Sequence, residues 1–464
     1  MEKYNIIHAL SWYTAGNILI RGTSFFVLPI FTKLMSTTEY GIFAIYSSYL
    51  SIFEVIALLG LSSTIVIAKY DKTIDFRSYL CTIISIPIIV TVFTSIILNI
   101  YFFINPEFLS MNPTLWNSLL ITSATAAVGA IIGAKFVVDG EYKSYMLYSM
   151  IVSWTNVGIS LLLCYTVYAE QNAHMARVIG QMIASILGML FLLYTTRYRF
   201  AINRLCLKQS LIWGIPLLFH TLATVILTQS DRIVIKSMDS FAAAGIYSIA
   251  VTLIAIPITL YTSLNSTWTP WFYEKLENGE FATIQRNNNL YIIYFGIIIA
   301  LFMILTPELI FVFTDSAYWG SIYCLVPLSL SIYGELLYSI PVGVEYYYKK
   351  TYWIMWGTIC VTVVNIVLDI VFVWIWGIVG AAYATTISKL VLFVFHYLIS
   401  RKLINNIIIN MKTVYICLTV LIALNFFVLF NVNCFSVRLV VLALAAVLLV
   451  FYSKRIKDEL SAVT

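Results

Sequence analysis

"KLMSTTEYGIFAIYSSYL" (33–50) returns as "KSMDSFAAAGIYSIAVTL" (236–253), about 200 residues further along the chain. Each copy opens on Lys and Met, passes through a short polar turn, and enters an apolar run at a Gly-Ile pair. Two more matches keep the same order at nearly the same offset. "EYKSY" (141–145) precedes a run containing Asn156, as "EYYYKKTY" (345–352) precedes one containing Asn365. "RVIGQMIAS" (177–185) is echoed by "GAAYATTIS" (380–388). Three matches in one order at one spacing indicate an internal repeat.

The repeat is built of membrane spans. Of the 464 residues 61% are hydrophobic and 10% charged, with a mean hydropathy of +0.93. Soluble domains carry about 25% charged residues. A spanning helix needs ~20 mostly apolar residues, and 14 stretches qualify: 10–33, 40–66, 79–104, 115–137, 145–168, 175–196, 211–235, 241–270, 290–312, 321–347, 352–375, 378–399, 413–431 and 436–453. Their length favours helices over the short alternating strands of a membrane barrel. Six spans separate the repeat copies, so both copies share one orientation, as in a parallel repeat about an axis along the membrane normal. The expected fold is an all-α polytopic membrane protein of about 14 transmembrane helices. Residues 1–200 form an N-lobe of spans one to six, and 201–402 a C-lobe of spans seven to twelve. Residues 403–464 hold spans thirteen and fourteen and a cytoplasmic tail. The cut between lobes falls in the basic linker "RYRFAINRLCLK" (197–208).

Charge sets the orientation. With the N-terminus in the cytoplasm, 20 of the 27 Lys and Arg fall on inner segments. Only Lys33, Arg177, Lys236 and Arg438 fall outside, and Arg21, Arg232 and Lys389 lie within spans. This is the positive-inside bias, with both termini cytoplasmic. The net charge of +6 reflects that bias, and no basic domain suggests nucleic-acid binding. The seven cysteines and four histidines show no metal-ligand spacing. No Walker loop, HExxH or nucleophile elbow is present, so an enzyme is not expected. "MEKYNIIHAL" lacks a cleavage site, so the first span is expected to stay as an anchor.

Charged residues inside spans mark bundle interiors or watery cavities. At ~1.5 Å per residue, Arg21 lies roughly 16 Å into its span, near the midplane, and Lys389 lies at a similar depth. Glu54 and Glu335 fall in the inner half, Asp369 in the outer half, and Arg232 at the outer interface. Helical spacing gives these charges company. Thr14, Asn17, Arg21 and Ser24 share one face. So do Ser47, Ser51 and Glu54; His220, Thr224, Thr228 and Asp231; Thr252, Thr259, Ser263 and Ser266; Ser331, Glu335 and Tyr338; and Thr385, Lys389 and His396. Such stripes serve either as interhelical hydrogen-bonding surface or as the wall of an aqueous path. Lys389 has two readings, a pair with Asp369 or a place facing the cavity. Arg21 has no acidic residue in its own span and suits an anion. A guanidinium offers pyrophosphate two parallel hydrogen bonds.

The chain resembles the Wzx-type polysaccharide flippases, which handle O-antigen or capsule repeat units within the multidrug/oligosaccharidyl-lipid/polysaccharide exporter superfamily. The likeness rests on "GNILIRGTSFFVLPIFTKLMSTTEYGIFAIY", "DRIVIKSM", "AAGIYSIA", "WTPWFYEKLENGE" and "GIVGAAYATTIS", and covers most of residues 1–400. The resemblance implies a two-lobed exporter in the bacterial inner membrane. Its substrate would be undecaprenyl-pyrophosphate-linked oligosaccharide, moved from the cytoplasmic to the periplasmic leaflet in lipopolysaccharide or related biosynthesis. Arg21, Lys389, Asn17, Thr14 and Ser24 would then bind substrate. Glu54, Asp231, Arg232, Glu335 and Asp369 would gate or couple, with a proton or sodium ion and no other cofactor. Membrane lipids, a polysaccharide polymerase and a chain-length regulator are the expected partners. The alternative is a cation-coupled drug or metabolite antiporter of the same superfamily.

Overall fold

A computed structural model of the chain describes residues 23, 25–104, 112–168 and 172–461. Helices dominate, and no strand occurs among the described residues. The chain divides into two compact units, Met1–Ile233 and Val234–Thr464. The first holds α1 (Phe25–Leu34), α2 (Thr37–Leu58), α3 (Leu61–Tyr70), α4 (Phe76–Ile104), α5 (Pro113–Asp139), α6 (Tyr142–Thr166), α7 (Ala173–Thr196) and most of α8 (Arg204–Met238). The second holds the end of α8, then α9 (Phe241–Leu253), α10 (Ala255–Glu277), α11 (Phe281–Phe313), a 3-10 turn (Ser316–Ser321) and α12 (Ile322–Tyr347). It continues with α13 (Thr351–Trp376), α14 (Ile378–Leu403), α15 (Met411–Phe430) and α16 (Phe435–Ser461).

Thirteen spans among the described residues are long and apolar enough to cross a membrane. The sequence count of 14 differs at its first member, 10–33, of which only the end is described, as α1. Two of the spans are broken helices. Thr37–Tyr70 is interrupted between α2 and α3, and Phe241–Glu277 between α9 and α10. These are the two copies of the repeated stretch. Both start the same way, because the polar turn supplies a serine cap for the helix amides. Ser36 accepts from the Glu39 amide in a capping box, and Ser240 accepts from the Ala243 amide. In each copy the glycine of the Gly-Ile pair lies five residues after the capping serine.

In the first unit, Leu61 and Ile65 of α3 pack on Tyr79 and Ile83 of α4 and on Val128 and Ile131 of α5. The break that starts α3 depends on glycine. Gly60 has φ +71°, and a Cβ there would lie 2.4 Å from the Gly214 carbonyl oxygen of α8. Gly279 has a similar φ of +70° but open space around it. Gly60→Ala therefore combines backbone strain with a steric clash, at about 2–5 kcal/mol. Gly279→Ala should cost only the backbone share. Thermal unfolding of the two purified variants in detergent checks this, and equal melting points would refute the close approach.

In the second unit α12 is the central helix. Nineteen of its 26 side chains are buried, which is the pattern of a helix surrounded by protein. It packs along α14, and α13 covers α14 from another side. The exposed face of α13 is apolar, with Val363, Val367, Ile370, Val371 and Trp374, as a lipid-facing helix requires.

Candidate functional site

Side chains join α12 and α14 in three places. The Thr386 hydroxyl donates to the Pro327 carbonyl at 2.8 Å. Lys389 Nζ lies 2.6 Å from Glu335 Oε2. His396 Nδ1 lies 2.7 Å from Glu345 Oε1. Gly334 makes the middle contact possible, since a Cβ there would lie 3.0 Å from Lys389 Cβ. Two charges in a membrane interior are each expensive alone, and pairing them removes the net charge.

The pair corrects one reading of Lys389. Its partner is Glu335 on α12, not Asp369 on α13. The α13–α14 turn at Gly377 explains why. Counting equal lengths from that turn puts Asp369 level with about residue 385, roughly one turn from Lys389. Asp369 is fully buried on α13, one turn after the equally buried Asn365.

The other predicted residues are in separate places. Glu54 is partly buried on α2, and the Ser47 and Ser51 hydroxyls of its stripe donate to the Phe43 and Ser47 carbonyls. Asp231 is buried. Arg232 donates to Gln229 Oε1 at 2.8 Å and to Ser48 Oγ of α2 at 3.3 Å, so it ties α8 to α2. Thr14, Asn17, Arg21 and Ser24 lie outside the described residues, as does the His220 side chain.

One stripe has open surface. On α10, Thr262, Ser263, Ser266 and Thr267 are exposed, while Leu260 is the helix's one large exposed hydrophobic side chain. These hydroxyls donate to carbonyls one turn back, for example Ser263 to Thr259 at 2.9 Å and Ser266 to Ser263 at 2.8 Å. Their hydrogens are thereby used and their lone pairs remain open to a donor. The predicted stripe continues to Thr252, but that residue belongs to α9, beyond the break at Ile254. Beside the stripe, Trp268 stacks on Tyr291 with centroids 4.6 Å apart.

Sequence reading missed three clusters. Glu39 accepts from the Ala173 amide at 2.8 Å and lies 3.8 Å from His174 Nδ1. Arg177 sits between the Phe31 and Phe43 rings, at 4.0 and 4.1 Å. Arg438 is 1% exposed and bound to Glu308. Arg438 is thus a buried helix residue and Arg177 a partly buried one, although the charge pattern counts both with the outer segments. Only Glu308, beside Pro307 in an apolar run, could have hinted at the third cluster. In the loops, a hydrogen bond from Lys275 holds the Glu280 carboxyl below its ordinary range, and bonds from Thr73 do the same for Asp71. No group of three or more metal-ligating side chains occurs among the described residues.

Comparison with known proteins agrees with this architecture. The family model described as "Polysaccharide biosynthesis protein" matches residues 7–275. A Haemophilus influenzae protein of the Lsg locus is 22% identical over 348 residues, covering 73% of this chain and 84% of its own. Among solved structures, the lipid II flippase MurJ in an inward closed conformation aligns with TM-score 0.70 at 16% identity, over 98% of this chain and 99% of its own. An inward-facing multidrug resistance MATE family transporter of the MOP superfamily aligns with TM-score 0.63 at 14% identity, over 85% of this chain and 97% of its own. The chain therefore belongs to the polysaccharide biosynthesis protein family and is a multi-pass membrane protein that shares the fold of these solved transporters.

Proposed function

We propose that this chain moves undecaprenyl-pyrophosphate-linked oligosaccharide units from the cytoplasmic to the periplasmic leaflet of the bacterial inner membrane, by alternating access. The observation that carries the reading is the exposed hydroxyl face of α10, Thr262, Ser263, Ser266 and Thr267. Exposed polar side chains within a membrane helix belong against a watery path. A sugar supplies hydroxyl donors for their free lone pairs. The apolar tail travels outside that path. Between α11, α15 and α16 lies an apolar groove of about 520 Å³, lined by residues including Ile297, Ala300, Val420, Leu424 and Leu448, and its size suits a lipid chain.

In this reading both termini are cytoplasmic. Arg21 holds the pyrophosphate, and Lys389, released from Glu335 during the cycle, assists it. Glu54, Asp231, Arg232, Glu335 and Asp369 gate or couple the movement to a proton or sodium gradient. The product feeds a polymerase and a chain-length regulator that build O-antigen or a related surface polysaccharide.

A deletion strain tests the reading. It should lose surface polysaccharide and accumulate lipid-linked repeat units, with unchanged susceptibility to cationic drugs. Drug sensitisation with normal polysaccharide would favour the antiporter instead. A finer test targets the stripe. A hydrogen bond contributes about 0.5–1.5 kcal/mol, so the double variant Ser263→Ala/Ser266→Ala should export roughly tenfold more slowly. Unchanged export at equal protein level would detach α10 from the path.

A further inference from the structure

We propose that Glu345 and His396 form a proton-binding site in the C-terminal unit, separate from the Lys389–Glu335 pair. Nothing in the motifs suggested it. Glu345 ends no polar stripe that the sequence marked, and His396 stood there only as a member of the α14 stripe. Both side chains are completely buried, with His396 Nδ1 2.7 Å from Glu345 Oε1. The remaining polar atoms, Glu345 Oε2 and His396 Nε2, are buried without a hydrogen-bond partner. A pair kept only for packing would more commonly have these satisfied.

The site is built around the imidazole. Gly357 of α13 faces the ring, and a Cβ at that position would lie 2.6 Å from His396 Nε2 and 2.8 Å from Phe395 Cε1. The α13 backbone thus seals the free edge of the ring, and only glycine permits the approach. Tyr338 closes another side, with its ring 5.2 Å from the imidazole. The titratable and charged neighbours are few. Tyr338 and Tyr346 come from α12, with Glu335 further along the same helix, and Tyr261 comes from α10. Lys389 and Arg401 lie before and after His396 on α14, and Lys349 and Lys350 form the turn after α12. At the level of Gly343, α10 presents the Phe272 ring.

Proton counting gives the function. A neutral imidazole beside a carboxylate carries one negative charge. One proton taken from water gives either imidazolium with carboxylate or imidazole with carboxylic acid, and both are neutral overall. Enclosure favours the neutral, loaded form, because a net charge cannot be buried cheaply. Movement that lets water reach the pair removes this preference, and the proton can leave. Binding in the enclosed state and release in the opened state amount to coupling of one proton to the conformational cycle. This rests on the transport reading for its purpose, but the proton site can be measured without it.

Two measurements decide the matter. In the first, the full chain in lipid nanodiscs carries ¹⁵N-labelled histidine, and the His396 signal is identified by its loss in His396→Gln. At pH 7 the His396 spectrum should report the proton of the loaded pair, carried on the ring or hydrogen-bonded to it from Glu345. In Glu345→Gln that spectrum should change, because the shared proton is lost. A His396 spectrum unchanged in Glu345→Gln would overturn the proposal. In the second, proteoliposomes receive undecaprenyl-pyrophosphate-linked oligosaccharide and an imposed pH gradient. One pH unit across the membrane changes the equilibrium accumulation by about tenfold per proton coupled. That response should vanish in Glu345→Gln, and also in Glu345→Gln/His396→Asn, which keeps a neutral hydrogen-bonded pair should the single variant not fold. A gradient response retained in either variant would overturn the assignment. If the unaltered chain moves no lipid-linked sugar, the transport reading fails, while the imidazole spectrum still tests the proton site.

Discussion

Glu308→Ala should lower the stability of the purified protein by about 3–5 kcal/mol, the cost of stranding a buried charge. The prediction follows from how completely Arg438 is used. Its two terminal nitrogens donate to the two Glu308 oxygens, each at 2.6 Å. The remaining N–H groups donate to the carbonyls of Ile304, Asn431 and Val432 at 2.9–3.0 Å. All five donors of the guanidinium are therefore engaged, in a fork that lysine could not reproduce. This contact fastens α16, and the turn after α15, to α11. Without Glu308, a permanent positive charge remains buried against three neutral carbonyls. Arg438→Met removes the charge itself and should cost less. Glu308→Ala/Arg438→Met should accordingly be more stable than Glu308→Ala alone. Thermal unfolding in detergent reads the series. A single Glu308→Ala variant as stable as the parent would mean that the clamp contributes nothing.

Arg21→Ala should abolish export of the lipid-linked sugar while leaving the amount of protein in the membrane unchanged. Arg21 lies outside the described residues, so its case is made by sequence and electrostatics. It occurs about 11 residues into the first predicted span, roughly 16 Å deep at the helical rise, with no acid in that span. A permanently charged side chain at such a depth is expensive. Its cost is offset if an anion shares the site for part of each cycle. Arg21→Lys separates charge from shape. It keeps the positive charge but loses the two parallel donors that fit a pyrophosphate, so it should restore only part of the export. Accumulation of lipid-linked repeat units, measured beside immunoblots of membranes, reads both variants. Normal export by Arg21→Ala would remove this residue from the mechanism.

The two kinds of prediction differ in where their support comes from. Arg21 stood out because a lone cation in an apolar run is visible in one dimension. Arg438 counted only as an outer cation near the end of a span, since its carboxylate partner is 130 positions away. Lys389 was visible as an intramembrane charge, but the sequence left two readings open, a pair with Asp369 or a place facing the cavity, and neither names Glu335. Glu345 looked like part of the polar run "EYYYKK" at a helix end, and only the packing of α12 on α14 brought it to His396.

By itself the sequence determined the helical membrane class, nearly all of the spans, and the repeat of the polar turn that precedes two of them. Each of these depends on the order of residues along one helix: apolar length, capping chemistry and a 3.6-residue period. It also determined which polar residues share a face within a helix. The tertiary structure decided which faces meet. Glu335 found Lys389, Glu345 found His396, and Glu308 found Arg438 because helix packing and the glycines at the contacts set the approach of neighbouring helices. The helical period carries no information about that approach, and a buried charge must take its partner from whichever helix comes near.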